Sequence, residues 1–123
     1  MIKLRIFILA LCLLIPVSAF AQTSTANRSW GAFWTKFSTA VNTRNRTNLK
    51  SLMASERDFF SGGGGETRDQ WLRSVSWAEL QKSVRRGTKV DFYDGKPGRL
   101  TKDNHLVFAF SGGKWRFMGP MGD

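Results

Sequence analysis

The spacing of apolar side chains changes at Gly87, and that change limits the folds open to this chain. Upstream, apolar residues recur about every 3.6 positions, the period of an α-helix; downstream they alternate, the period of a strand. Trp30, Phe33, Trp34, Phe37 and Val41 fall on one helical face, with Asn27 or Ser29 available to cap its start. Asn42-Thr43-Arg44-Asn45 interrupts the pattern, and a short second helix then places Leu49, Leu52 and Met53 on one side. Asp58-Phe59-Phe60 is expected as a brief strand, followed by a loop over Ser61 and Gly62 to Gly65. Thr67-x-x-Gln70 and Ser76-x-x-Glu79 are capping-box spacings, each followed by apolar residues: Trp71, Leu72 and Val75, then Trp77, Leu80 and Val84. They predict two short helices with a bend between them, stopped near Gly87.

Beyond Gly87, Lys89 to Tyr93 alternates Val90 and Phe92 with Asp91 and Tyr93. Asp94-Gly95 and Pro97-Gly98 are turn dipeptides, and Arg99 to Thr101 is a short strand. After the Asp103-Asn104 turn, His105 to Phe110 is a strand carrying Leu106, Phe108 and Phe110 on one face. Ser111-Gly112-Gly113 turns the chain into a return strand, Lys114 to Met118. Helices first and an antiparallel meander afterwards predict an α+β domain, its helices against one sheet face.

The first 21 residues have the parts of an export signal: Lys3 and Arg5, an apolar run from Ile6 to Val17 broken at Pro16, and the small-x-small site Ala19-Phe20-Ala21. The run is shorter than the roughly 20 residues of a membrane-spanning helix. The expected mature chain starts at Gln22, has a loose leader over 22–28 and a single domain over 29–123, and works in the periplasm or outside the cell. Cys12 is the only cysteine and leaves with the signal, so no disulfide, thiolate metal site or cysteine nucleophile is expected. All five tryptophans and eight of the ten phenylalanines remain, enough apolar area for a core without staples.

Lys and Arg number 19 against 9 Asp and Glu, and removal of Lys3 and Arg5 lowers the net charge from +10 to +8. Such a balance favours anionic surroundings, such as an acidic partner or an anionic polymer, or is a solvated surface. Arg85, Arg86, Lys114 and Arg116 are the anion-binding candidates, expected to form one contiguous patch. Nucleic acid is not expected as a specific partner, because the aromatics beside these cations alternate as core residues would.

The catalytic candidates are few. Asp91 and Tyr93 share a strand face, and Asp58 lies near another strand; each could serve acid–base chemistry if it faced a cavity. The alternation predicts instead that Val90 and Phe92 face the core and the polar pair faces water. His105, the sole histidine, is expected at a solvent-facing turn, so no metal site is predicted, and nothing points to a cofactor. Gly62 to Gly65 lacks the Lys-Ser/Thr that makes a phosphate loop.

The element order resembles the NTF2-like (SnoaL-like) cone-fold superfamily. The resemblance is carried by Phe33-Trp34-Thr35-Lys36-Phe37-Ser38-Thr39-Ala40-Val41, by Leu49-Lys50-Ser51-Leu52-Met53 and by the closing Lys114-Trp115-Arg116-Phe117. It implies a curved sheet around a long first helix and a pocket at the open end, used in some members for isomerase, cyclase or dehydratase chemistry and in others for binding alone. Trp34, Phe37, Trp77, Phe108 and Trp115 would line such a pocket, or else be plain core. The expectation is an exported domain that binds a small ligand or partner without catalysis. The alternatives are a small acid–base enzyme of the same fold and a surface binder of anionic polymer or acidic protein.

Overall fold

The computed structural model describes residues 23–60 and 65–121. The expected export signal, its cleavage site and the loop residues 61–64 lie outside the described residues. Helix α1 covers residues 23–42, and α2 is Arg46–Ser51, α3 is Arg68–Arg73 and α4 is Trp77–Arg86. Strands β1 (Thr88–Tyr93), β2 (Lys96–Thr101), β3 (Leu106–Ser111) and β4 (Lys114–Pro120) form an antiparallel meander in that spatial order. The protein is therefore α+β, with helices packed on a four-stranded sheet.

Of the apolar stripe of α1, Trp30, Phe33, Phe37 and Val41 are buried as the spacing predicts and Trp34 is only partly buried; Ala40 joins them in the core. The helix starts earlier than expected: residues 23–28 are helical, not a loose leader. Ala26 explains why. It is fully buried, and its carbonyl accepts the Trp115 indole N–H at 2.8 Å, which holds this turn against β4. Ser29, expected as a cap, instead bonds the Thr25 carbonyl within the helix at 2.8 Å. At the other end Asn45 N–H reaches the Ala40 carbonyl and Arg44 N–H the Val41 carbonyl, with Arg44 at φ 54°. This is a Schellman closure. Asn45 then accepts from Asn48 N–H and opens α2.

Residues 52–60 run beside β4. Phe117 N–H bonds the Leu52 carbonyl, Ala54 N–H the Phe117 carbonyl and Phe60 N–H the Met118 carbonyl. Residues 56–58 are a turn, so the strand expected at Asp58-Phe59-Phe60 does not form; one bridge, Met53 to Phe117, replaces it. Gly119 makes this approach possible, since a Cβ there would fall 1.7 Å from the Phe60 carbonyl oxygen. The Thr67–Gln70 capping box of α3 forms in both directions, and Glu56 also accepts from Arg68 and Asp69 N–H. Ser76 caps α4 through Glu79 N–H, and Gly87 ends it at φ 77°.

Two tight turns set the sheet register. Asp94-Gly95 and Gly112-Gly113 all have positive φ, the type I′ geometry that matches strand twist. Pro97-Gly98, expected as a turn, lies within β2 opposite Phe92 and Asp91. On the helix-covered face, Phe108 meets the edges or flanks of several rings: Phe37 at 4.9 Å, Trp30 at 5.3 Å and Trp34 at 5.7 Å between centroids. A smaller cluster of Ala54, Leu100, Val107, Ala109 and Met118 covers part of the other face.

One expectation about the sheet is overturned. Val90 and Phe92 do not face the core; they are 68% and 76% exposed. They share a face with Arg99 and Phe108, by the pairing of β1 with β2 and β2 with β3. That is the helix-covered side, but β1 is the edge strand. The helices are spent covering β2 to β4, and Arg99, lying over the Trp30 ring at 5.1 Å, closes the core before β1 is reached.

Candidate functional site

The outer face of the sheet carries a groove of about 490 Å³, within the range of small-ligand sites. Three pieces of chain form it. The β1–β2 hairpin contributes Tyr93, Asp94 and Lys96; the β3–β4 hairpin contributes Ser111, Gly112 and Arg116; and the turn after α2 contributes Ala54, Arg57 and Asp58. Ala109 and Met118 line it as well. Its depth follows from small side chains: Ala54 and Ala109 are lining residues, and Ala109 is paired with Gly98. Backbone bonds from Asp58 and Phe59 N–H to the Ser55 carbonyl fix the turn that presents Arg57 and Asp58.

Arg57, Lys96 and Arg116 bring three cations to this groove against two carboxylates, Asp58 and Asp94. Among the described residues the ion pairs within 4 Å all join Lys50, Glu56, Arg68 and Asp69, on α2, the turn after it and α3. The groove cations are therefore not neutralised by a close carboxylate, and Lys96 and Arg57 are exposed.

The groove brings together three of the residues singled out from the sequence: Asp58, Tyr93 and Arg116. Asp91 is not among its lining residues. It stands on the exposed edge strand, where its carboxylate accepts from Phe92 N–H at 2.8 Å. Phe37 and Phe108 are wholly buried, Trp115 is bonded to Ala26, and Trp34 packs on both phenylalanines. Trp77 packs at the edge of this core with Arg46 over its ring. The aromatic set thus fills space instead of enclosing it.

The basic residues do not form the one contiguous patch expected of them. Arg85 and Arg86 end α4 beside Thr88, which pairs with Thr101 at one end of the sheet. Lys114 pairs with Ser111 at the opposite end, about five residues or roughly 17 Å away along the strands. Only Arg116 joins the groove, and Lys114 lines a shallower hollow beside it with Lys36 and Trp115. Sequence reasoning missed Arg57 and Lys96. The Asp94-Gly95 turn could have pointed to Lys96, since it places that residue opposite Tyr93; nothing local marks Arg57.

His105 also departs from its expected exposed turn. It is half-buried, and its Nδ1 lies 2.8 Å from Ser83 Oγ, which in turn lies 2.8 Å from Asp103 Oδ2. Serine stands between the other two, so no imidazole bridges serine and carboxylate as nucleophilic catalysis requires. Ser83 is also only 1% exposed. The network fastens α4 to the β2–β3 turn. Burial works to raise the Asp103 carboxyl, but hydrogen bonds from Thr101, Ser83 and His105 N–H outweigh it and hold the group below its ordinary range. A carboxylate accepts only, so Ser83 donates to Asp103 and accepts from His105 Nδ1–H.

No group of three His, Asp or Glu side chains among the described residues is placed to hold a metal, and no described helix is long and apolar enough to cross a membrane. No family model, curated protein or solved structure matches the chain, so the expected likeness to the NTF2-like superfamily gains no support from them.

Proposed function

We propose that the protein is an exported binding domain that takes a small anionic ligand, or an acidic segment of a partner, in the outer-face groove. The observation that carries this reading is the convergence of Arg57, Lys96 and Arg116 on one concavity without close ion-pair partners. An anion there gains charge-assisted hydrogen bonds from guanidinium groups, and its apolar part meets Ala54, Ala109 and Met118. Export rests on the signal-like segment 1–21.

Asp58 and Tyr93 line the same groove, the one observation that favours an acid–base activity of the isomerase or dehydratase kind. Asp58 is exposed, however, whereas a general base is usually tuned by burial or a close neighbour. Binding without catalysis is the better supported of the two.

Amide chemical-shift mapping tests it, with inorganic phosphate, citrate and a short acidic peptide as probes. Saturable shifts are expected at Ala54, Tyr93, Ala109 and Met118 for at least one probe, and Arg116→Gln together with Lys96→Gln should remove them. Shifts spread evenly over all surface cations, Arg85 and Arg86 included, would overturn the assignment.

A further inference from the structure

The two sides of the sheet end differently. At β4 the outer hydrogen-bonding groups are taken by residues 52–60, whereas β1 has, among the described residues, a strand on one side only. Which groups of β1 are free follows from its register. Phe92 stands opposite Pro97, which has no N–H, so this is a pair that exchanges no ladder bonds. Gly87 and Lys102, five residues along, are bonded, in step with Lys89, Asp91 and Tyr93 facing β2. Thr88, Val90 and Phe92 therefore turn their N–H and C=O groups outward, and the same strand exposes the Val90 and Phe92 side chains at 68% and 76%.

We propose that β1 is a self-association edge, where a second copy of this chain pairs antiparallel with it about Val90 and continues the sheet across the two molecules. A two-fold pairing must be centred on one residue, and the centre decides which side chains meet. Centred on Val90, Val90 meets its own copy, and Thr88 meets Phe92 of the second copy. These are the residues with outward groups, so the ladder forms. On the opposite face Lys89 meets Asp91 of the second copy, and Asp91 meets Lys89, so two opposite-charge pairs lie directly across the join.

The neighbouring centres lack this complementarity. A centre on Asp91 sets two carboxylates face to face, and a centre on Lys89 does the same for two ammonium groups. A centre on Phe92 leaves Lys89 and Asp91 without each other. In the single chain Asp91 accepts from Phe92 N–H, and Lys89 Nζ donates to Asn104 Oδ1 at 2.7 Å. Pairing passes the Phe92 N–H to the Thr88 carbonyl of the second copy and frees the Asp91 carboxylate for Lys89. The edge is thus capped by its own side chain in the monomer and uncapped on pairing.

Sedimentation equilibrium over a range of protein concentrations tests this, with circular dichroism to confirm that each variant is folded. The protein should show a reversible monomer–dimer equilibrium. Lys89→Asp and Asp91→Lys should each weaken it roughly tenfold or more, since each turns both attractive pairs repulsive. Mixing these two variants should restore association, because only the mixed dimer regains opposite charges at both positions. Val90→Pro, which removes only an outward N–H on an edge strand, should abolish it while the fold is kept. A protein that stays monomeric throughout, a dimer indifferent to Val90→Pro, or a mixture no tighter than its components would overturn the proposal.

Discussion

Gly119 gives the most demanding test of the packing, because the same substitution at Gly31 should act in the opposite direction. Gly119 has φ 129°, a backbone region that residues with a Cβ rarely adopt, and an added Cβ would lie 1.7 Å from Phe60 O and 2.8 Å from Phe60 C. Those are backbone atoms, so no side-chain rotation relieves the clash. Residues 52–60 must lift from β4, which breaks the Phe60 N–H to Met118 bond and loosens the contact of Phe59 with Trp71. Strain at positive φ is about 1–2 kcal/mol, forced repacking about 1–3 kcal/mol and the lost hydrogen bond about 0.5–1.5 kcal/mol. Gly119→Ala should therefore cost about 3–6 kcal/mol, a large share of the roughly 5–15 kcal/mol that stabilises a typical domain. Gly31 lies on the exposed side of α1 with nothing within 4 Å of its added Cβ. There Gly31→Ala should stabilise by about 0.5–1 kcal/mol, by helix propensity alone. Urea titration of both variants gives the difference directly. A cost below about 1 kcal/mol for Gly119→Ala, within the range of ordinary surface changes, would refute the close approach of residues 52–60 to β4.

Phe37→Ala should cost about 3–5 kcal/mol by denaturant titration, since a fully buried ring between α1 and Phe108 is removed. Trp34→Ala should cost less, because Trp34 is only partly buried. Trp115→Phe deletes the indole N–H bond to the Ala26 carbonyl and should cost about 1–3 kcal/mol; amide exchange should rise first in residues 26–30. Asp103→Asn should show a signed pH dependence. The folded carboxyl titrates below its unfolded value, so its stabilising effect is present above that unfolded value and fades as pH falls through the folded one. The stability gap between wild type and Asp103→Asn should be open at neutral pH and close in acid; a gap that widened on acidification would contradict the Ser83–Asp103 assignment.

Local signals determined much of this protein. The period change at Gly87, the Thr67 capping box, the Ser76 cap and the two positive-φ turns each act over a few residues, so the sequence alone specifies the helices, the meander and the α+β class. The stripe of α1 was legible for the same reason: a helix period lines up its own buried face. What spans the chain was not legible. Periodicity says which side chains share a face, but not whether anything covers that face, so Val90 and Phe92 carry a core pattern and lie exposed on an edge strand. The start of α1 depended on Trp115, 89 residues away, holding Ala26. The groove depended on three separate turns meeting over Ala54 and Ala109, which brought Asp58, Tyr93 and Arg116 together and added the unremarked Arg57 and Lys96. Arg85 and Arg86 were parted from Lys114 by the length of the sheet, a distance fixed by strand pairing and invisible in charge counts.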